Sequence, residues 1–329
     1  MNLSPDAAAG PDADAGADAT PGPDATTGAV ALGRTAAGPA VPAPPQATVR
    51  LMGLTLHDLT APELVDRVVG AAAAGTGGWI VNPNVDVLRQ IVADPPVRAL
   101  VEGADLVVAD GMPLLWAAAL QRTPIRQTVP VSDAIWALCA EAARRGVPVF
   151  LLGGAPGSAA KAAQVLAGRY PGLEVSHMCP PFGFERDEAG LGAVRDALQQ
   201  AAPGLVFCAF GFPKQERLTA QLRDQCPSAW FIGSGGTFSM VAGDTPKAPA
   251  WARRLGLEWA HRLRLEPRRL FRRYIVDDLP FAARLLGGAL LARVGTRRTS
   301  LGAGAGAEPP TGAGSRPETG ERAESGDRA

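Results

Sequence analysis

From residue 48 to about 246, short runs of consecutive apolar residues alternate with longer stretches whose apolar positions recur at helical spacing. The short runs predict strands at Gly78–Val81, Asp105–Ala109, Val147–Leu152, Leu173–His177, Leu205–Ala209 and Ala229–Ile232. The amphipathic stretches predict helices over 60–74, 85–93, 95–102, 112–121, 132–145, 157–170, 187–201 and 213–225. Strands that are apolar throughout and separated by helices belong to a mainly parallel sheet covered on both faces, a Rossmann-like α/β core at 48–246. Val49–Asp58 reads as an added hairpin with Gly53 at its turn. Beyond about 247 the alternation stops, and 247–298 reads as an arginine-rich helical appendage.

The flanks differ in kind. Residues 1–47 are Ala, Gly, Pro, Asp and Thr with almost no large apolar side chains, and 299–329 are similar. Such segments bury too little surface to offset their chain entropy, so both read as disordered. The N-terminus lacks a basic segment followed by an apolar core, so no secretory leader is expected. No run reaches the roughly 18 apolar residues of a spanning helix. Leu279–Val294 comes nearest, but Arg284, Gly287, Gly288 and Arg293 interrupt it; it suits lying on a membrane, not crossing one.

Charge and cysteine content narrow the classes further. Thirty-two basic and 32 acidic residues balance, so bulk attraction to nucleic acid is not expected. The balance hides an asymmetry, because 251–298 is rich in arginine and suits an anionic surface. Cys139, Cys179, Cys208 and Cys226 show no metal-site spacing, and His57, His177 and His261 share none either. Four reduced thiols and three ordinary histidines are expected, with no metal and no cofactor.

In an open parallel sheet, ligands bind beyond the carboxyl ends of the strands. That rule selects the loops at 82–86, 110–113, 153–158, 179–185, 210–216 and 233–239. Asp110, followed by Gly111, Met112 and Pro113, is open to two readings: a helix N-cap, or a general base that takes a proton from a hydroxyl. Asn82 and Asn84 are either cap and turn residues or ligand contacts. Gly153 and Gly154 open a glycine turn that suits either a phosphate or a tight turn. It is not the dinucleotide fingerprint, which leaves a nicotinamide-dependent oxidoreductase without its glycines. Lys214 and Gln215 begin a helix after another glycine turn, a good position for a nucleotide or diphosphate. Gly235, within Gly233-Ser234-Gly235-Gly236, permits the same close approach. No serine-hydrolase elbow or Walker loop occurs. Arg262, Arg269, Arg272 and Arg273, interleaved with aromatic and leucine residues, suit phosphate oxygens at an apolar surface.

Together these segments resemble the WecG/TagA/CpsF family of bacterial glycosyltransferases. The likeness rests on Asn82-Pro83-Asn84-Val85-Asp86, Leu106 to Met112, Phe150 to Gly157, Gly211-Phe212-Pro213-Lys214-Gln215-Glu216, Gly243 to Pro249 and Gly256 to Tyr274. It covers about 50–285 in the expected order. The resemblance implies inverting, metal-independent transfer of an N-acetylmannosamine-type or other hexose from a UDP-sugar to a polyprenyl-diphosphate-linked acceptor, for cell-surface polysaccharide. It implies action at the inner face of the plasma membrane. It implies Asp110 as general base, Asn84 and Gln215 as pocket residues, and Arg262, Arg269 and Arg272 as appendage arginines that close over the donor diphosphate and touch the membrane. Asn82, Gly111, Gly153, Gly154, Lys214 and Gly235 complete the candidate substrate contacts. Asp12-Ala13-Asp14 falls in the tail and is discounted as a metal motif. Asn82, Val131 and Lys247 depart from the commoner threonine, glycine and arginine, which bears on sugar choice. A homo-oligomer is compatible with the sequence. The competing reading is a non-catalytic nucleotide-sugar or lipid-diphosphate binding module.

Overall fold

The computed structural model describes residues 47–249, 252 and 256–302, with the side chains of 269 and 294–302 outside the description. The expected disordered tails, apart from residue 47 and residues 299–302, therefore lie outside the described residues. The first elements are strands β1 (Thr48–Leu51) and β2 (Leu54–His57), an antiparallel hairpin turned at Met52 and Gly53. It forms a sheet of its own, beside the main one.

The main sheet contains β3 (Gly78–Val81), β4 (Leu106–Val107), β5 (Val149–Gly153), β6 (Val175–Met178), β7 (Leu205–Ala209) and β8 (Trp230–Gly233). Their order is β4-β3-β8-β7-β5-β6, and every described pairing is parallel. The expected Rossmann-like α/β class is what is observed. Alternate residues of each strand feed two cores. Trp79, Val107, Phe150, Val206 and Phe231 face one side, while Ile80, Leu106, Leu151, Phe207 and Ile232 face the other. Burial on both faces explains the unbroken apolar runs in the sequence.

On the first face lie α2 (Val85–Ala93), α3 (Pro95–Glu102), α4 (Met112–Leu120), α7 (Glu188–Ala201) and α8 (Lys214–Leu222), with the hairpin. On the second lie α1 (Ala61–Ala73), α5 (Val131–Arg145), α6 (Ser158–Arg169) and the short α9 (Thr237–Val241). Helix α1 starts at a capping box, in which Thr60 Oγ1 accepts from the Glu63 N–H and Glu63 Oε2 accepts from the Thr60 N–H. Helix α5 ends at Gly146 in the left-handed region.

Strand β4 is shorter than the apolar run predicts. Asp105 is not in the ladder; its Oδ2 accepts from the Trp79 N–H at 2.8 Å. The chain beyond β4 nevertheless follows its neighbour, because the Val108 N–H donates to Val81 O and the Asp110 N–H donates to Pro83 O. This extension carries Asp110 to the carboxyl end of the sheet.

The C-terminal segment contains α10 (Glu258–Leu265), α11 (Pro267–Phe271), a π-helical turn (Arg272–Asp278) and α12 (Leu279–Gly302). Its helical character matches the expected appendage, and α12 runs past the expected limit at 298. Phe281, Leu285 and Ala289 of α12 are buried in the core of the first face. Among the described residues, no helix is long and apolar enough to cross a membrane.

Candidate active site

Asp110 leaves β4 half-buried, one residue before Gly111, the N-cap of α4. No side chain caps that helix, so the cap reading of Asp110 is not what the structure shows. The surroundings of the carboxyl group act on its proton affinity. Burial is the largest influence and favours the neutral acid; the Glu258 carboxylate adds to it. The Arg262 guanidinium opposes both, Asp133 raises the affinity again, and a hydrogen bond from Asn82 lowers it. The result is an aspartate pushed up to about 7.

Two side chains of the appendage, Glu258 and Arg262, thus act on Asp110, and α10 carries both. Gly256, just before α10, sits so close to α4 that an added Cβ would lie 2.9 Å from Met112 Cβ and 3.2 Å from the Trp116 ring. Arg262 Nη2 donates to Glu258 Oε1 at 3.1 Å and lies 3.8 Å from Met240 Sδ in α9. The helix therefore bridges the ends of β4 and β8. Lys247 ties down the segment before it, donating to Ser132 O at 2.7 Å and to Asp133 Oδ1 at 3.1 Å at the start of α5.

The remaining candidates divide into groups. Asn84 Oδ1 accepts from the Val87 N–H at 3.1 Å and caps α2, as one of its two readings expected. Gln215 is buried, and its Oε1 accepts from the Gly211 N–H at 3.2 Å and the Gly235 N–H at 3.3 Å. Its Nε2 donates to Glu216 Oε1 at 2.9 Å. One amide thereby joins the two glycine loops that follow β7 and β8. Lys214 Nζ pairs with Glu185 Oε1 at 2.9 Å, among the rings of Phe182, Phe184 and Phe210. The Gly154 N–H donates to Ala209 O at 2.8 Å, and a Cβ on Gly153 would lie 2.6 Å from the Phe210 ring. Packing against the end of β7 thus leaves no room for a side chain at Gly153, and Ser158 and Phe238 leave none at Gly154. Arg272 is exposed, and the side chain of Arg269 lies outside the described residues.

Arg273, grouped with the phosphate-seeking arginines by its spacing, instead contacts Asp86 Oδ2 at 2.8 Å. Sequence reasoning gave no role to Glu258, Asp133, Glu216, Asp86 or Asp278. Asp133 meets Lys247, Asp86 meets Arg273 and Asp278 meets Arg89 across large sequence separations that a single chain's spacing does not reveal, while Glu216 meets its neighbour Gln215. His57, expected to be structural, accepts the Val107 N–H at Nδ1 at 3.0 Å. Among the described residues, no group of three or more His, Cys, Asp or Glu is placed to hold a metal ion.

A profile of the glycosyl transferase WecG/TagA/CpsF family matches residues 49–295. The chain belongs to this family. The WecG/TagA/CpsF match spans the sheet, the hairpin and the appendage through most of α12. A relative from Bacillus spizizenii is 28% identical over 193 residues, covering 59% of this chain and 73% of its own length. It is named an N-acetylglucosaminyldiphosphoundecaprenol N-acetyl-β-D-mannosaminyltransferase. Membership makes this chain a glycosyltransferase.

Proposed function

We propose that this enzyme moves a hexose, of the N-acetylmannosamine type, from a UDP-sugar to a polyprenyl-diphosphate-linked acceptor at the inner face of the plasma membrane. The relative's name supplies the sugar class and the lipid-diphosphate acceptor. The observation that carries the mechanism is Asp110, pushed up to about 7 at the carboxyl end of β4 and facing Arg262. A general base works best when its proton affinity lies near the operating pH. Ionised Asp110 takes the proton of the acceptor hydroxyl as that oxygen bonds to the anomeric carbon. The bond from that carbon to the UDP oxygen breaks on the opposite side, which inverts the configuration. Negative charge then grows on the departing diphosphate.

Arg262 is the placed cation for that charge, and Arg269 and Arg272 follow it on the same segment. Guanidinium groups fixed in advance stabilise a leaving diphosphate without a metal ion being needed. Asn82 hydrogen-bonds Asp110 and favours its ionised form. Gln215 acts through the two glycine loops it joins. We also propose that the appendage rests on the anionic bilayer through its exposed apolar and arginine side chains.

The test is release of UDP from a UDP-sugar in the presence of a short prenyl-diphosphate-linked acceptor. Asp110→Asn is expected to bind donor normally and to lose at least about 10²-fold in kcat. Because the base must be ionised, wild-type kcat/KM should rise with pH through about 7 and level off above it. Turnover near wild type in Asp110→Asn would remove Asp110 from the reaction.

A further inference from the structure

Four charged side chains close a ring on the side of α2. Arg89 Nη2 contacts Asp86 Oδ1 at 2.5 Å, and Arg89 Nε contacts Asp278 Oδ1 at 3.2 Å. Arg273 Nη2 contacts Asp86 Oδ2 at 2.8 Å, and Arg273 Nε lies 3.9 Å from Asp278 Oδ2. Each carboxylate therefore meets both guanidinium groups, and the charges cancel. Asp86 and Asp278 are both buried. Gln90 Nε2 adds a hydrogen bond to Asp86 Oδ2 at 2.9 Å.

The ring has a geometric cause. Arg273 and Asp278 are five residues apart, a spacing that an ordinary α-helix places on different faces. The π-helical turn Arg272–Asp278, closed by the Leu279 N–H to Tyr274 O, widens the repeat and brings both toward α2. Asp86 lies in the first turn of α2, directly after the Asn82-Pro83-Asn84 loop. The ring thus joins the loop beside Asp110 to the segment that carries Arg262 and Arg272. A surface rest for the appendage would not require charges to leave water, since burying them costs several kcal/mol per ion unless they are paired.

We propose that Asp86, Arg89, Arg273 and Asp278 are positioning residues, whose ionic ring docks the appendage in register so that α10 lies over Asp110. The proposal rests on the reading of Asp110 as the base. It predicts that undocking withdraws Glu258, Arg262 and part of the cover from Asp110, with Asn82 and Asp133 left in place.

The informative variant is Arg273→Ala/Asp278→Ala. Either single change leaves the buried ring with one excess charge, two like charges sharing a single opposite partner, and can unfold the protein. The double change removes one charge of each sign and leaves the Asp86–Arg89 pair intact on α2. Hydrogen exchange of residues 256–275, measured on the full chain, should lose at least about tenfold in protection. kcat/KM for UDP release should fall about 10- to 100-fold. Its acid limb should move to lower pH, because burial and Glu258, the two larger influences raising the proton affinity of Asp110, are lifted while only Arg262 opposes them. Asp278→Glu should restore much of the activity. Wild-type protection in the double variant overturns the docking role. Lost protection with unchanged kcat/KM and an unchanged acid limb overturns the positioning role. Asp110→Asn, assayed in parallel, reports separately on the base, since the exchange measurement needs no activity.

Discussion

Glu216 is a carboxylate that the proposed chemistry does not use, although it is 2% exposed. Its Oε1 accepts from Gln215, and its Oε2 has no partner. Burial pushes the group up from 4.5 to about 7, against the weaker pull of the Gln215 hydrogen bond. The unfolded chain releases this proton near 4.5, and the folded chain holds it until about 7. The stability from Glu216 is therefore complete below the unfolded value and is lost as pH rises through about 7. A shift of that size corresponds to roughly 3 kcal/mol. Glu216→Gln keeps an acceptor for Gln215 and removes the charge. Urea unfolding at about pH 5 and about pH 8 should show a flatter pH dependence than wild type, with the gain at the higher pH. A slope equal to wild type would show that Glu216 ionises without cost in the fold. Asp110, and Asp278 at about 6, are raised in the same direction, so part of the slope should remain in the variant.

At the scale of elements, the turn from β5 into α6 shows why a glycine motif stays open to two readings in a sequence. The spacing of Gly153, Gly154 and Gly157 suits a phosphate cradle or a tight turn equally well. A Cβ on Gly154 would lie 2.6 Å from Ser158 Oγ and 2.9 Å from Phe238 Cδ2, at a φ of +87°. At Gly157 the φ is +77°, yet nothing lies within 4 Å. Gly157→Ala should therefore cost only the left-handed strain, about 1 kcal/mol, while Gly154→Ala adds overlap and should cost about 3 kcal/mol. Equal losses in denaturant unfolding would show that the contact with Phe238 is not limiting. The strands were legible because burial on both faces leaves unbroken apolar runs, and Gly78–Val81 and Leu205–Ala209 match their predicted limits. β4 was overestimated because apolar content marks burial, not ladder pairing. The π-helical turn was invisible, since Arg272 to Asp278 has no composition that distinguishes it from an α-helix; its register depends on partners in α2. Asp110, Asn82 and Arg262 were legible as polar residues at strand ends or in an arginine cluster. Glu258 and Asp133 were not, because only the fold brings them to Asp110.

The appendage as a whole faces two environments. Phe281 and Leu285 of α12 are 5% and 1% exposed and belong to the core of the first face. Leu290 and Leu291 are 49% and 73% exposed, and Trp259, Leu265, Phe271, Val276 and Leu279 are also open to solvent. Arg264, Arg268, Arg272 and Arg284 are exposed on the same segment. Apolar side chains flanked by arginines suit an anionic bilayer, where each basic residue near the surface contributes about 1 kcal/mol. Cutting the chain near residue 250 would strip Phe281 and Leu285 from the core, so loss of binding after truncation could reflect unfolding. Leu290→Glu/Leu291→Glu acts only at exposed positions and should leave urea unfolding within about 0.5 kcal/mol of wild type. Sedimentation with vesicles containing anionic lipid should fall at least about tenfold, and turnover of a water-soluble short acceptor should hold. Unchanged sedimentation would place the bilayer contact elsewhere on the molecule, whereas a loss of turnover on the soluble acceptor would show that these leucines support docking of the appendage and not its contact with lipid.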